Sequence, residues 1–413
     1  MENLFANDLA ALRARSLDRH LREITDAKGP EVEIGGRRLI NFSSNDYLGL
    51  ANDPRLREAA TSAIDEFGVG AGASRLITGN LSPHVRLERA LAEWKRTEAA
   101  LCFSSGYAAA LGTIPALMGK DDVILLDKLC HASLIDGAKL SGAVLRVFPH
   151  NHVGKLESHL EWARREHSGR RILIITESVF SMDGDRAPLH ELVELKKRFG
   201  ALLILDEAHA VGVIGAHGRG LTAAENADAD VDVQMGTLSK ALGASGGYIC
   251  GSRTLIEWLI NRARSFIYST APPPAVAAAA LAAVDFLSSA EGEERRLLLW
   301  DRIKLMRELF GQLDVERWTL GVGCLNVANQ RSTLNAQRSK SSDSGSAIFP
   351  WIVGGEQAAL SLAAGLQDDG FLVPAIRYPT VAKGAARLRI AVTAAHEEDQ
   401  IRALCQAIGR HSL

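Results

Sequence analysis

The sequence predicts an α/β fold with a mostly parallel central sheet and a smaller C-terminal α+β domain. Between residues 99 and 206, short apolar segments typical of buried strands alternate with longer segments typical of helices. Polar residues follow several of these strands, at the edge where parallel sheets bind ligands. The length of 413 residues also exceeds one ordinary core. We therefore expect an N-terminal helix and hairpin (1–50), a large domain (51–288) and a small C-terminal domain (289–413).

Composition excludes several classes of protein. The net charge of -2 and the 47% of hydrophobic residues indicate a soluble enzyme-sized protein and favour neither nucleic acid nor a membrane surface. The five scattered cysteines, without a Cys-x-x-Cys motif, indicate a reducing compartment and no metal site. The N-terminus lacks a secretory pattern, and the longest apolar run, Ala275–Val284, is too short to cross a bilayer. We expect a cytoplasmic location.

The N-terminal third contains amphipathic helices and one hairpin. Leucines at helical spacing predict a first helix over Leu4–Ile24, and Val32–Phe42 has the pattern of a hairpin. Two more helices are predicted at Pro54–Phe67, which begins with proline, and at Leu81–Lys95.

The central part alternates strictly between strands and helices. The predicted strands are Ala99–Phe103, Asp122–Leu126, Val144–Phe148, Ile172–Thr176 and Leu202–Leu205. The predicted helices are Ala108–Met118, His131–Leu140, Val153–Glu166 and Leu189–Phe199. Such alternation with apolar strands is typical of a parallel sheet covered by helices on both faces.

One lysine stands in a turn between two further predicted strands. The segment Asp232–Tyr248 contains Lys240, flanked by small hydroxyl residues and glycines. A lysine among small and apolar residues can have its pKa lowered by desolvation, and a neutral amine can form a Schiff base. Taken alone, a lysine in such a turn is more often an ordinary solvated residue.

The C-terminal part is predicted to form a small α+β domain after a proline run at residues 272–274. Helices are predicted at Ala275–Ser288, Glu291–Leu313 and Gln357–Asp368, and strands at Gly323–Val327, Phe349–Val353, Val373–Arg377 and Ala386–Val392. The segment Asn329–Ser346 is rich in Ser, Asn, Gln, Arg and Lys, which is typical of a mobile surface insertion.

Two phosphate-binding motifs are excluded by their context. The glycine-rich segment Gly68–Gly79 resembles a dinucleotide fingerprint, but it follows a helix and has Ala73 in place of the third glycine. Asp206-Glu-Ala-His209 spells a helicase box, but no Gly-x-x-x-x-Gly-Lys-[Ser/Thr] motif precedes it. The sequence is therefore neither a Rossmann dehydrogenase nor an ATPase.

The polar strand ends together match the needs of pyridoxal 5'-phosphate (PLP). This cofactor requires a lysine for its aldehyde, a carboxylate for its ring nitrogen, a donor for its ring hydroxyl and an anion site for its phosphate. Lys240, Asp206 and His209 supply the first three. Ser105-Gly106-Tyr107, between a strand and a helix, supplies the anion site. His131 follows another strand and is a candidate for stacking on the ring, although alone it would be an ordinary helix-start histidine.

Several motifs, distributed over nearly the whole chain, resemble the α-oxoamine synthase family of PLP-dependent enzymes. They are Asn41-Phe-Ser-Ser-Asn-Asp-Tyr-Leu-Gly-Leu50, Phe103-Ser-Ser-Gly-Tyr107, His131-Ala-Ser-Leu134, Thr176-Glu-Ser-Val-Phe-Ser-Met-Asp-Gly-Asp185, Asp206-Glu-Ala-His209, Thr237-Leu-Ser-Lys-Ala-Leu-Gly243 and Tyr268-Ser-Thr270. The resemblance implies the aspartate-aminotransferase-like fold (fold type I) and a homodimer with active sites at its interface.

The resemblance also implies a role for each matching residue. Lys240 would hold the cofactor and act as general base, Asp206 would pair with the ring nitrogen, His209 would bond the ring hydroxyl, and His131 would stack on the ring. Further cofactor or phosphate contacts would come from Gly106, Tyr107, Ser181 and Thr237, and from Ser269 and Thr270 toward a second subunit. The substrates would be bound by Arg22, Asn45, Arg377 and Thr380.

Within the family, the segment Ala375–Ile390 is most similar to the biotin-pathway member. That resemblance implies joining L-alanine to a pimeloyl thioester of coenzyme A or acyl carrier protein, with loss of carbon dioxide and thiol. Two alternatives stay open: a relative that uses glycine with acetyl-, succinyl- or fatty acyl-coenzyme A, and a non-catalytic PLP-binding regulator. The retained catalytic residue types, and the lack of a helix-turn-helix pattern before the fold, argue against a regulator.

Overall fold

The computed structural model describes residues 2–313 and 345–411. Its strands and helices alternate as predicted. In chain order the strands are β1 (Asp26–Lys28), β2 (Glu31–Ile34), β3 (Arg37–Asn41), β4 (Ala99–Phe103), β5 (Val123–Asp127), β6 (Val144–Phe148), β7 (Ile172–Glu177), β8 (Leu202–Asp206), β9 (Val233–Thr237), β10 (Gly247–Gly251), β11 (Ile348–Gly354), β12 (Phe371–Leu372), β13 (Ala375–Ile376) and β14 (Ala386–Ala391).

The helices account for most of the remaining described residues. They are α1 (Glu2–Ala14), α2 (Pro54–Phe67), α3 (Ser82–Trp94), α4 (Gly106–Leu117), α5 (Ala132–Ser141), α6 (Val153–Glu166), α7 (Leu189–Phe199), α8 (Leu221–Ala224), α9 (Arg253–Arg262), α10 (Arg264–Ile267), α11 (Pro274–Leu287), α12 (Ala290–Gln312), α13 (Glu356–Asp368) and α14 (Glu398–His411). No single helix of the described chain is long and apolar enough to cross a membrane; α11 and α12 meet the criterion only as a pair, bent by 79°.

The chain divides into two units. The first unit comprises residues 1–44, 182–184 and 298–413, and the second comprises residues 45–181 and 185–297. We predicted three segments, 1–50, 51–288 and 289–413. The structure instead groups the N-terminal segment with C-terminal residues, because β12 pairs in parallel with β3.

The second unit is built on a seven-stranded sheet with the order β4-β10-β9-β8-β7-β5-β6. All neighbours are parallel except β10, which runs antiparallel to β4 and β9. The strands β5, β7 and β9 are buried along their whole length, as expected for parallel strands covered on both faces. The predicted mostly parallel sheet is confirmed.

The first unit contains a four-stranded sheet, β1-β2-β3-β12, and a three-stranded antiparallel sheet, β11-β14-β13. The apolar core beneath α13 and α14 includes Trp351, Leu366, Leu388, Ile390 and Leu404. Burial of the whole of β14 and of one face of α14 explains why these short elements are stable together. The predicted small α+β arrangement is observed.

Four local predictions were wrong or untested. The helix predicted over Leu4–Ile24 ends at Ala14, because Ser16 takes a left-handed φ of 54°. The predicted strand Val373–Arg377 is replaced by β12 and β13, on either side of Pro374, which has no N–H to donate. The predicted strand Gly323–Val327 and the part of the insertion from Asn329 to residue 344 lie outside the described residues.

Candidate active site

A cavity of about 230 Å³ opens at the carboxyl edge of the seven-stranded sheet. Glu177, Asp206 and Thr237 are the last residues of three adjacent strands, β7, β8 and β9. Glu177 and Asp206 are direct register partners. The cavity is lined by Ser105, Gly106, Tyr107, His131, Ser133, Glu177, Asp206, Ala208, His209, Met235, Gly236, Thr237, Ser239 and Lys240. The sheet thus brings together residues that lie up to 135 positions apart in the sequence (105 to 240).

Lys240 lies in the turn between β9 and β10 and contacts a histidine from the turn after β8. The Lys240 Nζ atom is 2.8 Å from His209 Nε2. On the other side of the ring, His209 Nδ1 is 2.7 Å from the hydroxyl of Tyr47, which is fully buried. The imidazole is therefore held at both nitrogen atoms, and its Nε2 atom faces the lysine.

Asp206 is a buried carboxylate at the end of β8. Its Oδ1 atom accepts a hydrogen bond from the backbone N–H of Ala208 at 2.9 Å. Burial raises the pKa of Asp206, and the positive charge of Lys240 opposes this shift. A carboxylate in this position stabilises a positive charge in the cavity more strongly than it would in water, because little solvent screens it.

Buried Glu177 and the more exposed His131 form a second pair on the cavity wall. A Glu177 carboxylate oxygen accepts the backbone N–H of His131, at the start of α5. Burial, together with the negative charge of Asp206, raises the pKa of Glu177 to about 8. Desolvation lowers the pKa of His131. At neutral pH, Glu177 is thus largely protonated and His131 is a neutral ring.

Glu177 was given no role in the predicted site. It is one of the polar residues that follow the predicted strands, at the edge where parallel sheets bind ligands. It was assigned no role because a strand-end glutamate has no specified partner until the pairing of the strands, here with Asp206, is known.

The N-terminus of α4 provides a site for an anion. Ser105 caps the helix, and its Oγ atom accepts the backbone N–H of Ala108 at 3.0 Å. Within the described chain, no hydrogen bond is formed by the backbone N–H groups of Gly106 and Tyr107. Free N–H groups at a helix N-terminus attract negative charge. Thr237 is close by, with its hydroxyl 2.8 Å from that of Ser239.

The turn that carries Asp206 and His209 is anchored in the core by an ion pair. Lys95 and Glu207 are both completely buried, and the Lys95 ammonium donates to Glu207 and to the carbonyl of Arg219. Thr222 donates its backbone N–H to Glu207 at 3.0 Å. Glu207 therefore points into the core while its neighbour Asp206 lines the cavity.

Four other predicted residues of the second unit do not line the cavity. Ser181 follows β7, and Asn45 Oδ1 accepts the hydroxyl of Tyr47 at 3.3 Å. Ser269 and Thr270 follow α10, and Thr270 forms a backbone bridge with Ser74 of the glycine-rich segment.

The three predicted substrate residues of the first unit have protein partners. Arg22 donates to the side-chain oxygen of Gln367 at 3.1 Å. Arg377 donates to the carbonyls of Ser16 and Asp18, the latter at 3.0 Å. Thr380 donates its backbone N–H to the carbonyl of Arg377 at 3.0 Å. Their roles toward substrate stay predictions.

The family of the chain follows from comparison with known proteins. The family model of class I and II aminotransferases matches residues 37–408. The chain belongs to this family. It is 46% identical over 401 residues to an 8-amino-7-oxononanoate synthase of Anaeromyxobacter dehalogenans, covering 97% of this chain and 93% of the relative. It is 43% identical over 411 residues to the same-named protein of Geobacter sulfurreducens, covering 99% and 98%.

Solved structures agree with the fold. Serine palmitoyltransferase from S. paucimobilis, with PLP and myriocin bound, has a TM-score of 0.87 at 28% identity, covering 99% of this chain and 98% of that one. An 8-amino-7-oxononanoate synthase from Francisella tularensis has a TM-score of 0.70 at 28% identity, covering 90% and 97%. The aminotransferase-like fold and the resemblance to the α-oxoamine synthases are confirmed.

Proposed function

We propose that this enzyme joins L-alanine to a pimeloyl thioester and releases 8-amino-7-oxononanoate, carbon dioxide and the free thiol, as a step of biotin biosynthesis. The observation that carries the proposal is the 46% identity to an 8-amino-7-oxononanoate synthase over 97% of the chain. The cavity supports it, because Lys240, Asp206, His209 and His131 all line the same space.

The residues of the cavity fit pyridoxal 5'-phosphate. Lys240 would be the covalent attachment point, Asp206 would pair with the ring nitrogen, and the free N–H groups of Gly106 and Tyr107 would receive the phosphate together with Thr237. Ser181, which does not line the cavity, stays a further predicted contact, and His131, kept neutral by desolvation, would stack on the ring. When bound, the cofactor supplies an aldehyde for amines and a ring that stabilises negative charge at the substrate's α-carbon.

Two residues move or hold protons in this scheme. Lys240 would be the base that removes the proton from the substrate's α-carbon. Asp206 remains negative and holds a proton on the ring nitrogen by charge. His209, 2.8 Å from Lys240 Nζ, is placed to orient the amine and to bond the ring hydroxyl. Glu177, largely neutral at pH 7, leaves Asp206 as the principal negative charge in the cavity.

Substrate choice is assigned to other residues. Arg377 would bind the amino-acid carboxylate, because its planar guanidinium can donate two parallel hydrogen bonds, and Asn45 is a separate predicted substrate residue. Arg22 and Thr380 contact the acyl substrate. A methyl group changes binding by roughly 1–3 kcal/mol in an apolar pocket, so alanine is preferred over glycine but not absolutely. Each buried methylene of the acyl chain adds about 0.8 kcal/mol.

A substrate screen tests this function. We expect kcat/KM for alanine with pimeloyl thioester to exceed that for glycine with acetyl- or succinyl-coenzyme A and for serine with palmitoyl-coenzyme A. Serine is included because the serine palmitoyltransferase structure has the higher TM-score of the two structures above. Pimeloyl-coenzyme A and pimeloyl-acyl carrier protein are compared as separate donors. Preference for another pair would reject the biotin-pathway assignment and keep the family.

We also propose that the enzyme is a homodimer. The glycine-rich segment and residues 268–271 lie side by side, joined by the Ser74–Thr270 bridge. Val69, Ile77 and Tyr268 in these segments are 77%, 76% and 73% exposed, and exposed apolar clusters commonly mark interfaces. Here Ser269 and Thr270 would reach the phosphate of the second copy.

Sedimentation tests the dimer. The wild type should have twice the chain mass of 44.4 kDa. Tyr268→Asp should shift it toward the monomer, whereas Leu140→Asp, which changes an exposed leucine on α5, serves as the comparison. A monomeric wild type with full activity would reject the dimer.

The proposed location is the cytoplasm. The four cysteines of the described chain are free and buried, in keeping with a reducing compartment. Cell fractionation followed by detection of the enzyme tests this location.

A further inference from the structure

Tyr47 connects a proposed substrate residue to the cofactor lysine. It lies between β3 and α2 and is completely buried. Its hydroxyl is 2.7 Å from His209 Nδ1 and donates to Asn45 Oδ1 at 3.3 Å. Because His209 Nε2 is 2.8 Å from Lys240 Nζ, an unbroken series of hydrogen bonds runs from Asn45 through Tyr47 and His209 to Lys240.

The direction of these hydrogen bonds is set by chemistry. An amide oxygen only accepts, so the single hydroxyl proton of Tyr47 points to Asn45. The Tyr47 oxygen must then accept a proton from His209 Nδ1. In a neutral imidazole the other nitrogen, Nε2, has the lone pair and accepts from Lys240.

We propose that Tyr47 is a positioning residue that selects the tautomer His209 presents to Lys240 and to the cofactor. If the Tyr47 O–H turns from Asn45 to His209 Nδ1, the Nδ1 proton must be released to solvent while Nε2 takes up a proton from the Lys240 ammonium, so that the ring becomes a donor toward the cavity and Lys240 becomes neutral. The contact given up is the longer of the two, 3.3 Å against 2.7 Å, so the rotation breaks only the weaker hydrogen bond.

The inference rests on the proposed function. It also gives Asn45 a part in setting the tautomer of His209. A substrate group that takes the Asn45 amide oxygen would release the Tyr47 hydroxyl to turn toward His209. The other titratable groups that line this cavity are Asp206 from β8, Glu177 from β7 and His131 from the start of α5. They set the charge around Lys240, whereas Tyr47 contacts the far side of the His209 ring.

The variant Tyr47→Phe tests this role, and the chain offers a matched control. Tyr248 is also completely buried, but within the described chain its hydroxyl has no hydrogen-bond partner. Tyr248→Phe therefore removes the same atom from the core without changing the hydrogen bonds that connect Asn45 to Lys240. Both variants should keep the thermal stability needed to compare them, because phenylalanine fills almost the same volume.

The first readout is the tautomer of His209 in the full-length protein without cofactor, measured by nitrogen-15 NMR of the ring. We expect the proton on Nδ1 in the wild type and in Tyr248→Phe. In Tyr47→Phe we expect it to be lost from Nδ1 or shared between both nitrogens. A wild-type proton on Nε2, or an unchanged tautomer in Tyr47→Phe, would overturn the proposal.

The second readout is the pH dependence of PLP uptake by the apoprotein, which requires neutral Lys240. Without the Tyr47 acceptor the ring is a weaker base at Nε2 and stabilises the Lys240 ammonium less. The midpoint should then move to lower pH by about 0.5–1 unit, the worth of one hydrogen bond. In a His209→Asn background, Tyr47→Phe should cause no further shift. A persisting shift there, or an equal one in Tyr248→Phe, contradicts the proposal.

The two proposals can fail separately. A wild type that neither takes up PLP nor turns over any of the substrate pairs rejects the proposed function, while the NMR measurement still decides the tautomer. A fully active enzyme with an unaltered His209 ring in Tyr47→Phe rejects only the role of Tyr47.

Discussion

The cofactor residues of the second unit and the substrate residues of the first unit are held in different ways. In the second unit, Asp206 ends a buried strand and His209 follows it in a turn anchored by the Lys95–Glu207 ion pair. In the first unit, Arg22 lies outside any helix or strand, and Arg377 comes directly after a two-residue strand. Arg22 donates to a half-buried glutamine, and Arg377 donates to backbone carbonyls.

This difference shows which kind of site a fold class predicts. Parallel strands place their carboxyl ends at one edge whatever their side chains are, so the fold class alone predicted where Lys240, Asp206 and His209 would meet. The first unit has no such rule, and its substrate residues were identified only through a family resemblance. We expect substitutions at the sheet edge to remove chemistry and substitutions in the first unit to alter substrate binding.

The largest effect is expected for Lys240→Ala. Loss of both the attachment point and the base should lower kcat by about 10⁴-fold or more. The yellow colour should be lost, and borohydride should no longer fix the cofactor to the protein. Lys197→Ala, which removes an exposed lysine paired with Asp230, is the control and should behave like the wild type. Turnover within tenfold of wild type in Lys240→Ala would contradict the role.

Asp206→Asn should bind the cofactor but lose most of its function. A neutral amide cannot hold the ring-nitrogen proton by charge, so exchange of the substrate's α-proton should slow by about 10²–10³-fold. Proton exchange of alanine in heavy water, followed by NMR, measures this step without the acyl substrate. Asp230→Asn is the control. Wild-type exchange in Asp206→Asn would refute the assigned role.

The two units should also differ in how pH changes their stability. Because the folded-state pKa of Glu177 is raised to about 8, folding favours its protonated form, and its contribution falls as pH rises from about 4.5 to 8. The wild-type apoprotein should therefore lose stability over this window, on the order of 3 kcal/mol, relative to Glu177→Gln. Denaturant unfolding at pH 5 and pH 8 measures the difference.

A carboxylate of the first unit provides the opposite sign. The hydrogen bond from Arg410 lowers the pKa of Asp369, so its contribution is present above the unfolded pKa and is lost as pH falls. Asp369→Asn should therefore be less stable than wild type at neutral pH, and this difference should disappear as pH falls into the acid range. Parallel pH dependence of Glu177→Gln and wild type would show that Glu177 is ionised throughout.

The smallest effect is expected for Arg377→Lys. Lysine keeps the charge but cannot bind a carboxylate bidentately, so KM for the amino acid should rise about tenfold while kcat changes little. Arg402→Lys, on the exposed side of α14, serves as the control. A loss in kcat with unchanged KM would place Arg377 in the chemical step and remove the contrast between the two units.

Local patterns predicted most of the elements. The bounds predicted for β6, α2, α6 and α7 are those observed, because periodicity, a starting proline in α2 and a closing glycine after α7 are read within a few residues. The end of α1 was missed, because leucine spacing continues to Leu21 although the backbone turns at Ser16. The break at Pro374 was available in the sequence and was not used.

The sequence by itself determined the fold class, the family and the main residues at the carboxyl edge of the sheet, because apolar periodicity and contiguous motifs can be read from local sequence. Only the tertiary structure decided which groups touch. The contact of Tyr47 with His209 joins positions 162 residues apart, β12 pairs with β3 across the chain, and burial beside Asp206 raises the pKa of Glu177. Hydrogen-bond partners and desolvation depend on three-dimensional packing, and local sequence does not encode them.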